Sequence, residues 1–308
     1  MLLVVGAGLS ARIGYPTFDA YAERLVNDFG VTVDGIPSED SSTIAGLVRA
    51  SLEESGRLSE FHAHLERTFG PNGRSEYYDR VHRLLVGAGF RGIVTTNYDS
   101  VLEDAASADG RRCEELDLCA PRPFAIFDFL RATSAGRSRA FVLHLHGYFR
   151  NPDRLVMTTD DYSRRYGSYY ETSPDGTQTA QLNLNTMHRK VMWALFVTYP
   201  VLFVGFSLRD PALRHILEVI DQDFERGRDL DHYAVMGAAD EIQEASDREE
   251  LSRYGITPIF YPVTRSPGPG VPDDHRALED LLASLCGSTS EPAPHRRGED
   301  FTARMLAS

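Results

Sequence analysis

Four short stretches carry groups that a packed interior does not need. Gly6-Ala7-Gly8-Leu9-Ser10-Ala11 follows the apolar run at 2–5, and Thr95-Thr96-Asn97-Tyr98-Asp99 closes a second run. His144-Leu145-His146-Gly147 closes a third, and Gly205-Phe206-Ser207-Leu208-Arg209-Asp210-Pro211 a fourth. The first stretch fits Gly-x-Gly-x-x-Ala. Glycine there lets the backbone approach a pyrophosphate, and N–H groups at the next helix start attract its charge. The amide of Asn97 both donates and accepts, so it can orient a water or a sugar hydroxyl. His146 titrates near neutral pH and can bind hydroxyls or take a proton. Asp99 can hold developing positive charge, or cap the helix that Val101-Leu102-Glu103 would begin.

These groups act together only if the fold delivers them to one edge. The apolar runs at 2–5, 92–96, 141–147, 201–206, 232–236 and 256–261 are rich in β-branched residues and separated by helix-length segments. That pattern predicts an α/β fold: a Rossmann-like parallel sheet of about six strands with helices on both faces. Ligands of such sheets lie beyond the carboxyl ends of the strands, where all four stretches fall. The long gaps predict helical insertions at about 31–89 and 150–200 that form a small second subdomain, with one helix ending before Pro200. Residues 1–286 are read as one nucleotide-binding domain. The Pro/Ser/Gly-rich segment 287–308 is read as a flexible or partner-docking tail.

Several residues read as structural. His144 lies two positions before His146 on the same strand face and belongs deeper in the core. Asp160-Asp161 reads as a helix start, and Asp210-Pro211 as an N-cap followed by proline at the first helical position. A dehydrogenase-type domain would need an acid about 20 residues after the glycines. Asp34 in Val31-Thr32-Val33-Asp34-Gly35 is the one on offer, but loop-like sequence follows it and the reading is the weaker one.

Composition narrows the task. A net charge of -13 argues against direct nucleic-acid binding, which rests on phosphate neutralisation. The three cysteines, Cys113, Cys119 and Cys286, form no Cys-x-x-Cys pair, so neither a disulfide framework nor a zinc site is expected. With no apolar run of membrane length and no signal segment visible, a cytoplasmic protein is expected.

Gly-Ala-Gly-Leu-Ser followed by Gly14-Tyr15-Pro16, then Thr-Thr-Asn-Tyr-Asp, Leu-His-Gly and Gly-Phe-Ser-Leu-Arg-Asp-Pro, resembles the sirtuin-like NAD-binding family over residues 4–211. The closer likeness is to its bacterial branch that lacks the zinc ribbon and serves as NAD-consuming effectors of anti-phage defence. The resemblance implies NAD+ as substrate, no metal, and Asn97, Asp99 and His146 as catalytic residues. It also implies cofactor contacts from Gly6, Ala7, Gly8, Ser10, Arg12, Thr96, Gly205 and Ser207. In sirtuins the loop after the glycines reads Gly-Ile-Pro-Asp-Phe-Arg; here Thr17 and Asp19 replace the acid and the arginine. The implied activity is NAD+ glycohydrolysis under regulation. That regulation is expected from a homo-oligomer, or from a separate partner of HerA-type ATPase or Argonaute type, rather than from a fused sensor. The competing readings are a protein deacylase or ADP-ribosyltransferase, and a non-catalytic subunit that senses NAD or ADP-ribose.

Overall fold

The structure, a computed structural model, describes residues 1–33, 40–71, 77–131, 139–172, 178–182, 186–206, 210–223, 232–265 and 274–286. The proposed tail 287–308, Ser207 and Asp34 lie outside them. Strand β1 (Leu2–Val5) leads through α1 (Ala7–Ala11), α2 (Phe18–Phe29), α3 (Ser41–Glu54), α4 (Leu58–Phe69) and α5 (Arg80–Gly87) to β2 (Ile93–Thr95). Next come α6 (Val101–Ala108), β3 (Arg112–Asp117), α7 (Pro123–Arg131), β4 (Arg139–His144) and α8 (Thr159–Tyr166). An antiparallel hairpin of β5 (Ser168–Thr172) and β6 (Gln178–Leu182) precedes α9 (Met187–Thr198) and β7 (Val201–Val204). The last elements are α10 (Pro211–Asp223), β8 (His232–Ala238), α11 (Glu241–Ser252), β9 (Ile256–Pro262) and α12 (Arg276–Cys286).

Seven strands form one parallel sheet in the order β3-β4-β2-β1-β7-β8-β9. Its two central strands, β1 and β7, are buried at every residue, as a sheet covered on both faces requires. Alternate residues point to opposite faces. Leu2, Val4, Val94, Val201 and Phe203 pack against α7, α9 and α10. Leu3, Val5, Ile93, Leu202 and Val204 pack against α5, α6 and α12. A fully buried side chain of this size contributes roughly 1.5–3 kcal/mol.

Two features depart from the sequence reading. Strand β3, Arg-Cys-Glu-Glu-Leu-Asp, was not among the apolar runs, because an edge strand pairs on one side only and here buries just Leu116. The insertion at 150–200 contains the β5–β6 hairpin as well as α8 and α9. In the earlier stretch, about 31–89, α3 and α4 share with the preceding α2 a separate apolar cluster built on Tyr21, Leu25, Val48, Leu52 and Leu65. Tyr98, Tyr148 and Phe149, from the loops after β2 and β4, close it. Residues 31–33 form no strand. Among the described residues no helix is long and apolar enough to cross a membrane.

From β1 the chain goes to β2 on one side, and after β4 it crosses to β7 on the other. The order therefore reverses at β1, the position beyond whose carboxyl end open sheets of this kind bind their ligands.

Candidate active site

The glycines lock two turns together at that reversal point. A Cβ on Gly6 would stand 2.5 Å from the Gly205 carbonyl oxygen, and one on Gly8 would stand 2.9 Å from it. Gly205 has φ +63°, and a Cβ there would lie 2.5 Å from the Leu9 nitrogen. The Gly8 N–H donates to the Gly205 carbonyl at 2.9 Å, and the Gly6 N–H to Val204 at 3.1 Å. The turn after β1 and the turn after β7 thus form one piece. Their glycines are needed first for each other. Ala7 is partly exposed and Gly8 exposed, at the start of α1.

Strand β2 hands its last residues to the same rim. The Thr95 hydroxyl donates to the Val5 carbonyl at 2.9 Å and accepts the Asn97 N–H at 3.0 Å, which fixes how the chain leaves the strand. Thr96 is half-buried. Asn97 is buried and directs Nδ2 inward, to Ser10 Oγ at 3.0 Å and the Gly6 carbonyl at 3.3 Å. Its Oδ1 is buried with no hydrogen-bond partner. The side chain therefore offers the site an acceptor only, narrower than the sequence alone allowed.

Ser10 links two of the expected residues. Its hydroxyl accepts from Asn97 and also bonds the Asp99 carboxylate. Asp99 Oδ1 accepts the Val101 N–H at 3.1 Å, at the start of α6. Burial pushes this carboxyl above its ordinary range, although the Val101 and Ser10 bonds oppose the rise. Arg12 turns elsewhere: its Nε donates to Asp79 Oδ2 at 2.8 Å. The two residues that depart from the sirtuin loop have local tasks. Thr17 caps α2, and Asp19 accepts a bond from Ser41 at the start of α3.

His144 is fully buried and structural, as its place on the strand implied. Its Nδ1 bonds the Asn97 carbonyl at 2.8 Å and its Nε2 bonds Glu103 at 2.7 Å. Burial lowers the imidazole, but the Glu103 carboxylate more than offsets this and the group is pushed up to about 9. Both ring nitrogens are then donors at neutral pH.

His146 sits beyond the end of β4, next to β2 in the sheet, and is 4% exposed. Its Nε2 makes no hydrogen bond but lies 3.4 Å from Asp210 Oδ2. The rings of Tyr162 and Tyr166 stand edge-on to it, with centroids at 5.3 and 5.8 Å. Burial lowers this imidazole below its ordinary value while Asp210 pulls it back up. It is neutral at pH 7 and able to take a proton.

Sequence reasoning missed Asp210, Tyr162 and Tyr166 as neighbours of His146. Tyr162 and Tyr166 stand four apart on α8, hence on one face, which was a readable signal. Asp160 and Asp161 drew attention instead, and Asp161 completes the cap of α8 with Thr158. An open cleft of about 490 Å³ between α2 and α4 is lined by Asp28, Phe29, Arg57 and His64 and includes none of the strand-end residues. Among the described residues no group of three or more His, Cys, Asp or Glu could hold a metal ion.

Leaving a buried polar group unbonded costs about 1–3 kcal/mol. Asn97 Oδ1, at the carboxyl end of β2, is such a group, and a hydroxyl or a water would satisfy it, whereas His146 Nε2 faces Asp210 Oδ2. The SIR2-like domain family model matches residues 91–259. The chain is 24% identical to the NAD(+) hydrolase ThsA of Acinetobacter baumannii over 249 residues, 80% of this chain and 44% of that protein. The NAD(+) hydrolase ThsA of Bacillus cereus is 24% identical over 234 residues, 76% of this chain and 42% of that protein. The protein of the same name from Enterococcus faecium is 24% identical over 235 residues. The chain spans less than half the length of these relatives.

Proposed function

The chain belongs to the SIR2-like domain family, and on that premise we propose that it hydrolyses NAD+ to nicotinamide and ADP-ribose. The observation that carries this reading is Asn97 Oδ1, a buried acceptor at the strand ends with no hydrogen-bond partner. The names of the matched relatives support it.

In the reaction the bond between ribose C1′ and the nicotinamide nitrogen breaks, and its electron pair goes to that nitrogen, so a cationic ring leaves neutral. The ribose takes oxocarbenium character, as in other glycosyl transfers. A water oxygen bonds to C1′, and the water's proton passes to neutral His146 and then to solvent. Asn97, restricted to accepting, orients this water or a ribose hydroxyl. Asp99 beside Ser10 holds the carboxamide or the developing charge. Asp210, beside His146, suits a cationic ring, because a carboxylate attracts positive charge. The turn of Gly6, Ala7, Gly8 and Ser10, with Thr96, Gly205 and Ser207, serves the phosphate and ribose side in this reading, and Arg12, paired with Asp79, does not.

As an effector of anti-phage defence, such an enzyme depletes cellular NAD+ and must be restrained until triggered. A homo-oligomer or a separate regulatory or sensor protein, of HerA-type ATPase or Argonaute type, supplies that control in this reading. Segment 287–308 is the proposed docking point. The test is purified protein with NAD+, followed by chromatography for nicotinamide and ADP-ribose, beside Asn97→Ala and His146→Ala. Equimolar release that both variants abolish supports the proposal. Tight NAD+ binding with no release, alone and with every candidate partner, would replace it with the sensing reading.

A further inference from the structure

The two oxygens of Asp210 face different tasks. Oδ1 accepts the Leu213 N–H at 2.9 Å, and the Asp210 carbonyl accepts the Arg214 N–H at 3.1 Å, so the residue caps α10. That accounts for one oxygen. Oδ2 points away from the helix. It accepts the Tyr162 hydroxyl at 3.0 Å and lies 3.4 Å from His146 Nε2. The side chains of Asp210 and His146 are 10% and 5% exposed, so water screens the pair little. Capping does not explain this arrangement. Asparagine caps a helix as well as aspartate does, and capping needs no buried histidine or tyrosine at the other oxygen.

We propose that Asp210 is the positioning residue for His146: its Oδ2, itself held by the Tyr162 hydroxyl, fixes the ring and favours the imidazolium that forms when His146 takes a proton. The catalytic part of this inference rests on the hydrolase reading; the pairing itself does not. A carboxylate that orients a histidine base and stabilises its cation recurs on unrelated folds. Here the carboxylate comes from the turn after β7 and the histidine from the turn after β4, strands on opposite sides of β1. The titratable groups around His146 are Tyr162 and Tyr166 from α8, His188 from α9 and Asp210 ahead of α10. Burial raises both tyrosines well above their ordinary value, so neither brings negative charge to the ring at neutral pH.

The Tyr162 hydroxyl competes with His146 for the same oxygen, so two variants should shift the histidine in opposite directions. Asp210→Asn keeps the cap and the shape but removes the charge, and should lower the pKa of His146. Tyr162→Phe leaves Oδ2 to His146 alone, and should raise it. Imidazole NMR titration of full-length protein reads both shifts, with the His146 resonance assigned by its loss in His146→Gln. In the NAD+ assay, kcat of Asp210→Asn should fall by up to about 10⁴-fold, as when the carboxylate behind a histidine base becomes an amide. KM and melting temperature should hold, and the acid limb should move to lower pH. A His146 titration unchanged in both variants overturns the pairing. A shifted titration with wild-type kcat overturns the positioning role. If the wild-type protein releases no nicotinamide, the hydrolase reading fails, and the titration still decides the pairing.

Discussion

His144 Nδ1 lies 2.8 Å from the backbone carbonyl of Asn97, so a fully buried histidine of β4 sets the level of a side chain presented by the loop after β2. Glu103 holds its other nitrogen and keeps the ring charged. Its folded pKa of about 9 lies above the unfolded value of about 6.5. The stabilisation is therefore complete below pH 6.5 and is lost as pH rises through 9. Urea unfolding from pH 6 to 10 should show stability falling on the alkaline side. Glu103→Gln should flatten that fall and lower stability at pH 7.

His146 behaves in the opposite sense, since burial favours its neutral form. In wild-type protein the acid limb of NAD+ cleavage should lie below the ordinary histidine value of 6.5. His146→Ala should reduce kcat by about 10²–10⁴-fold, the usual worth of a general base. A pH–rate profile with an acid limb above 7 would exclude His146 as that base.

Ser10 tests the orientation of Asn97. Ser10→Ala removes the Asn97 amide's nearest acceptor and one partner of Asp99. One hydrogen bond of about 1.4 kcal/mol corresponds to a tenfold change. Steady-state kinetics should show kcat lowered by about that factor, with little loss of melting temperature.

Gly205→Ala should be far costlier. It forces a side chain into a left-handed conformation and against the Leu9 backbone nitrogen. Strain and overpacking together should cost about 2–5 kcal/mol, read as a lowered urea midpoint. Gly30→Ala shares the positive φ but meets no atom within 4 Å, so its loss should be the smaller one.

The core strands were legible because burial on both faces writes them as unbroken apolar runs, Leu-Leu-Val-Val and Val-Leu-Phe-Val among them. Strand β3 was not, since an edge strand with two glutamates and an arginine has no such run. At the site, Asn97, Asp99 and His146 stood out because polar groups at the ends of apolar strands need a reason to be there. Ser10 joins Asn97 to Asp99 and His144 holds the Asn97 carbonyl, while His146 stands apart with Asp210, Tyr162 and Tyr166. Asp210 was read only as a cap, and it is one. Its second oxygen became visible only with α8 beside α10, a contact that residues 162 and 210 carry across 48 positions of sequence.

The place of β1 in the sheet bears on how the chain is made. Its partners are β2, at residues 93–95, and β7, at 201–204. A ribosome adding about 5–20 residues per second leaves β1 without β7 for roughly 10–40 s. Throughout that interval the middle of the future sheet is an open apolar edge, the kind of surface that pairs with other nascent chains. A strand that ends buried at every residue is thus exposed during synthesis. Protein yield should depend on how quickly residues 201–204 reach it.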